Sequence, residues 1–122
     1  MRIAISSTGK NLADNVSEVF ARCPYFIIAE ISAKGGSAPG GENQEIEKTE
    51  TIENKIANQL GQAGISAAQL MAEKNINAVI TKNVGPRALD VLNQFNIGIY
   101  AGDGTIEKVL REFIDGKLKK MN

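Results

Sequence analysis

The chain has no histidine, and it has one cysteine, Cys23. Without an imidazole there is no Ser–His or Cys–His nucleophile pair, no histidine metal site and no histidine acid–base chemistry. A single thiol cannot close an intramolecular disulfide, which fits a reducing compartment. An excess of either charge is missing too: 14 lysines and arginines face 14 aspartates and glutamates, for a formal net charge of zero. Bulk attraction to nucleic acid or to a membrane surface is thereby removed. The apolar run at Ile3, Ala4 and Ile5 is too short for the hydrophobic region of a signal peptide, and no later run approaches a membrane span. The expectation is a cytoplasmic protein with no nucleic-acid and no membrane partner.

Catalytic groupings are equally scarce. Two-metal hydrolysis needs acids clustered on central strands, and the first strand offers Ala4, Ile5 and Ser6 in their place. Glu30 falls late on the second strand, and Asp90 and Glu107 fall on polar helix faces. No G-x-x-x-x-G-K-[ST] loop occurs, and the turn holding Gly102 and Gly104 is not a dinucleotide fingerprint. The expectation is a protein that is not an enzyme.

What is present is the pattern of an α/β domain. At 122 residues the chain fits one domain, 1–122, large enough to bury a core unaided. Ile3 to Ile5 reads as a first buried strand closed by a small polar turn. Leu12, Val16, Val19 and Phe20 follow at helical spacing, suggesting a short helix stopped by Pro24. Residues 25–31 are nearly all apolar and β-favouring, as a strand covered on both faces would be. The stretch 34–41, with four glycines and a proline, reads as a mobile connection, and 44–51 as a charged edge strand. Beyond Ile65 the chain runs helix, strand, helix, strand, helix. The strands are at 78–80 and 97–100, with Pro86 opening the middle helix and Thr105 capping the last. The tail 117–122 reads as solvated. Such alternation demands parallel strands with right-handed crossovers, giving a three-layer α/β/α architecture around a mixed five-stranded sheet.

Ligands of open α/β sheets bind beyond the carboxyl ends of the parallel strands, where helix N-termini present free N–H groups and partial positive charge. The loops 6–11, 81–86 and 101–105 belong at that edge, and the turn 61–64 nearby. They place Ser6, Ser7, Gly9, Lys82, Gly85, Arg87 and Gly104 around an anion, with Arg22 and Cys23 as further contacts. Cys23 is the candidate metal ligand, because a thiolate is a soft donor and an adjacent arginine favours its ionised form. A small buried hydrophobe is the competing reading of the same cysteine.

The residues Met1 to Ser7 with Gly9, the run Phe20-Ala21-Arg22-Cys23-Pro24-Tyr25-Phe26, Asn54, Ala63-Gly64-Ile65, Ala78-Val79-Ile80, Gly85-Pro86-Arg87-Ala88, Gly98-Ile99-Tyr100, Gly104-Thr105-Ile106-Glu107 and Gly116-Lys117-Leu118 resemble, in that order and spacing, the dinitrogenase iron–molybdenum cofactor biosynthesis family. The resemblance implies an RNase H-like fold with one strand antiparallel to the rest. It also implies carriage, insertion or storage of an iron–molybdenum or other metal–sulfur cluster, with a thiometallate anion as ligand and a cluster-assembly or recipient protein as partner. Some family members carry a cofactor-contacting histidine, which this chain lacks, and many a glycine where this chain has Ala21. An interaction module acting on a partner protein without any cluster is the alternative.

Overall fold

The computed structural model describes residues 1–33 and 44–122. The connection expected over 34–41 lies outside them.

Hydrophobic alternation builds the central layer. The strands are β1 (Arg2–Ser7), β2 (Tyr25–Ala33), β3 (Gln44–Glu53), β4 (Ala78–Thr81), β5 (Gly98–Ala101) and β6 (Lys119–Lys120), and they form one sheet in the order β3-β2-β1-β4-β5-β6. Successive side chains leave opposite faces of a strand. Ala4, Phe26, Ile28, Val79 and Ile99 therefore face one core, while Ile3, Ile5, Ile27, Ala29 and Ile80 face the other. The first core is closed by α1 (Ala63–Glu73) and α2 (Pro86–Gln94), through Ala67, Met71, Ala88 and Leu92. The second is closed by α3 (Ile106–Ile114), whose Ile106, Val109, Leu110 and Phe113 form one apolar stripe. Three layers result, as expected.

Among the described residues the sheet has six strands rather than five. Lys119 and Lys120 pair antiparallel with Ala101 and Tyr100, and the Met121 N–H donates to the Ile99 carbonyl at 2.7 Å. The tail therefore covers the edge of β5 through its backbone, while the side chains of Lys117, Lys119 and Lys120 stay exposed as expected. β1, β4 and β5 are mutually parallel, while β2 and β6 run against their neighbours. Two strands, not one, break the common direction.

A second expectation fails between β1 and β2. Residues 11–22 form turns and isolated bridges, not a helix. Their backbone groups bond outward: Ser17 N–H to the Ser6 carbonyl at 2.8 Å, Val16 N–H to Gly104 at 2.9 Å and Phe20 N–H to Asn83 at 3.0 Å. Those partners replace the i→i−4 ladder a helix requires. The segment lies as a strap across the carboxyl ends of the parallel strands, burying Val16 and Phe20 and leaving Val19 and Leu12 exposed.

Other expectations hold. Pro86 is the first residue of α2, and the Thr105 side chain accepts from the Lys108 N–H at the head of α3. Gly116 sits at φ 72°, closing α3 with bonds from its own N–H to Phe113 and from Lys117 to Glu112.

Candidate functional site

Three helix N-termini reach the strap edge, and they differ in what satisfies them. The first N–H groups of a helix have no partner within the helix. In α3 they are satisfied: Ile106 donates to the Asp14 carbonyl at 2.8 Å, Glu107 to Leu12 at 3.0 Å and Lys108 to the Thr105 hydroxyl at 3.2 Å. Glu107 adds a carboxylate to that first turn. The N-cap residues of α1 and α2, Gln62 and Gly85, make no side-chain cap, and neither first turn carries an acid. The N–H groups of Gly64, Ile65, Arg87 and Ala88 find no acceptor among the described residues.

These two uncapped ends converge. A Cβ built on Gly64 would lie 3.2 Å from the Cβ of Ala88, so the helices approach where glycine leaves room. Between them and the strap opens a cleft of about 370 Å³ lined by the segments 62–65 and 85–88 with Val19, Ala21 and Arg22. Two guanidinium groups, Arg22 and Arg87, border it, and no carboxylate does. Arg22 Nη1 donates to the carbonyls of Ala57 at 2.9 Å and Gln59 at 2.7 Å. Arg87 makes no ion pair or side-chain hydrogen bond among the described residues.

Of the residues expected around an anion, the structure brings Arg22, Gly85 and Arg87 to this cleft. The others lie elsewhere. Ser6 and Ser7 are buried under the strap, the Ser6 hydroxyl donating to Thr81 Oγ1 at 2.9 Å and the Ser7 hydroxyl to the Gly9 carbonyl at 2.7 Å. Gly9 packs on the Asp14 carboxylate, which would overlap any Cβ there. Gly104, at φ 112°, gives its carbonyl to Val16. Lys82 forms ion pairs of 3.2 Å with both Glu18 and Asp103, and the Glu18 bond leads in holding its ammonium above the usual value. Its charge is matched before any ligand arrives.

Cys23 has no exposed surface, and its thiol donates to the Phe20 carbonyl at 3.2 Å. Burial pushes its pKa up to about 12, so the thiol keeps its proton near neutrality and is sealed from a metal. The geometry favours the small buried hydrophobe over the soft ligand. No group of three or more acids or thiols able to hold a metal ion occurs among the described residues, and no described helix is long and apolar enough to cross a membrane.

The 61–64 turn, expected near the edge, supplies Gln62, Ala63 and Gly64 to the lining, whereas Val19 and Ile65 were not expected there. The turn before an apolar helix was the available signal for Ile65; Val19 had none, because its spacing suggested a helix.

Residues 1–116 match the model of the family described as dinitrogenase iron–molybdenum cofactor. The chain is 35% identical over 121 residues to the uncharacterized protein MJ0580 of Methanocaldococcus jannaschii, covering 98% of this chain and 91% of that one. It is similar to the orange protein of Desulfovibrio gigas, solved in its apo form, at 26% identity with a TM-score of 0.78, covering 98% and 91% of the two chains. It is also similar to a candidate NifB protein of Thermotoga, TM1290, at 31% identity with a TM-score of 0.75, covering 98% and 92%.

Proposed function

The chain belongs to the dinitrogenase iron–molybdenum cofactor family, and on that premise we propose that it binds a preassembled metal–sulfur anion in the cleft between α1 and α2. The observation that carries this reading is the convergence of two uncapped helix N-termini with two arginines and no carboxylate. Each helix end contributes donors and partial positive charge, and each guanidinium a full charge with forked N–H groups.

The donor set fits a thiometallate or cluster held through its outer sulfur atoms. No imidazole exists and the only thiol is sealed, so the protein offers hydrogen bonds and charge rather than covalent ligands. Arg87, unpaired, is the principal charge contact. Arg22 completes the rim, and the N–H groups of Gly64, Ile65, Arg87 and Ala88 take sulfur or oxygen acceptors. The cargo is carried and not transformed, since no nucleophile–base pair faces the cleft. A carrier must also hand over its load: Val19, which lines the cleft, is 42% exposed, and Leu60, two residues before the lining residue Gln62, is fully exposed; these apolar side chains are where a recipient or assembly protein would seat.

The test mixes purified protein with tetrathiomolybdate, alone and with copper or iron, and follows its absorption through size-exclusion chromatography. Co-elution that high salt reverses supports the proposal. Chromophore that elutes wholly apart from protein, with a partner protein captured in the absence of metal, would favour the interaction-module reading instead.

A further inference from the structure

Residues 21–23 are joined to the turn at 54–59 at two points. The buried amide of Asn54 donates to the carbonyls of Ala21 at 2.9 Å and Cys23 at 2.8 Å. Between those carbonyls, Arg22 sends its guanidinium the other way, onto the carbonyls of Ala57 and Gln59. Gln59 passes the connection on, its Nε2 donating to the Gly61 carbonyl at 2.9 Å and the Ser66 hydroxyl at 3.0 Å. Ser66 stands in the first turn of α1. The chain enters that helix through two successive left-handed residues, Gly61 at φ 75° and Gln62 at φ 55°. A glutamine held there is strained, so the surroundings must fix it.

We propose that Arg22 and Gln59 are positioning residues, whose latch from the strap to Ser66 aims the N-terminus of α1 into the cleft. The inference rests on the cluster-binding reading and deepens it: Arg22 acts chiefly through the turn it grips, and uncharged Gln59, which does not line the cleft, is needed as well. Both bonds come from Nη1, which stands one atom further from the backbone than a lysine ammonium and whose two N–H groups are fixed in the guanidinium plane, so a lysine does not reproduce them.

Tetrathiomolybdate titrations of wild type, Gln59→Ala, Arg22→Lys and Arg22→Ala at two salt concentrations test this, with amide resonances of Gly64 and Ile65 followed by NMR. Gln59→Ala and Arg22→Lys should each weaken binding about tenfold, the equivalent of about 1.4 kcal/mol. Their salt dependence and melting temperature should stay at wild-type values, while the response of the Gly64 and Ile65 amides to ligand shrinks. Wild-type affinity in both variants, with loss confined to Arg22→Ala and a shallower salt dependence there, overturns the inference and makes Arg22 a plain charge contact. If wild type itself binds no tetrathiomolybdate, the cluster reading fails. The free proteins then decide the latch alone: unaltered Gly64 and Ile65 shifts and exchange rates in Gln59→Ala overturn it, and altered ones sustain it.

Discussion

Ser6 and Thr81 share a hydrogen bond across the β1–β4 seam, hydroxyl to hydroxyl at 2.9 Å, with both side chains buried. Thr81 also donates to the Asn83 carbonyl at 3.3 Å, so the two positions are not equivalent. Thr81→Val strands a buried Ser6 hydroxyl and should cost about 1–3 kcal/mol, whereas Ser6→Ala leaves Thr81 its carbonyl and should cost about 0.5–1.5 kcal/mol. Urea midpoints at constant m check the order, and neither variant should alter thiomolybdate affinity.

Arg87 and Lys82, two of the cations at the strap edge, separate by pairing. Arg87→Ala removes an unmatched charge and should weaken tetrathiomolybdate binding by about 1.5–3 kcal/mol, with a shallower salt dependence. Lys82→Ala removes a charge that Glu18 and Asp103 already balance, and affinity should stay within about twofold. Calorimetric titration at two ionic strengths distinguishes them.

Cys23 predicts a pH effect whose sign follows from its burial. Its folded pKa, about 12, exceeds the ordinary value of 9.0, so the folded state keeps a proton that the unfolded state loses. Stability is unaffected below about pH 9 and falls as pH rises from there toward 12, by on the order of 4 kcal/mol if no other group intervened. Cys23→Ser should flatten part of that decline. At pH 8 an alkylating reagent should leave the native thiol unmodified and label it rapidly in urea.

Gly64 keeps α1 and α2 close at the cleft. A valine there would press on Ala88, already 3.2 Å from an ideal Cβ, and drive the two helix ends apart. Gly64→Val should lower the melting temperature by several degrees, about 1–3 kcal/mol of overpacking, and reduce affinity more than Lys82→Ala does.

The apolar runs of β1, β2, β4 and β5 were legible because burial on both faces leaves a continuous signal, and Pro86 and Thr105 marked their helices by local chemistry. The strap was not. Val16 and Phe20 are buried at helical spacing, but the segment spends its backbone hydrogen bonds on Ser6, Asn83 and Gly104, residues distant in sequence. β6 was hidden for a similar reason, since two lysines carry no strand signal and their pairing depends on an edge that β5 happens to leave open. At the candidate cleft, Arg22, Gly85 and Arg87 were legible as cations and turns beside helix starts. The neutralisation of Lys82 by Glu18 and Asp103 was not, because each partner comes from a different loop.

The strand order has a kinetic consequence. β1, β2 and β3 form an antiparallel meander of near neighbours, while β1 meets β4 in a pairing of Ile3 with Ala78. Closing that seam spans most of the chain, and long-range parallel pairing is slow. The N-terminal meander should acquire protection from hydrogen exchange first, and β4 with β5 should join it in the rate-limiting step. The cleft is lined by the strap residues Val19, Ala21 and Arg22 as well as by the ends of α1 and α2, so it is complete only after that step.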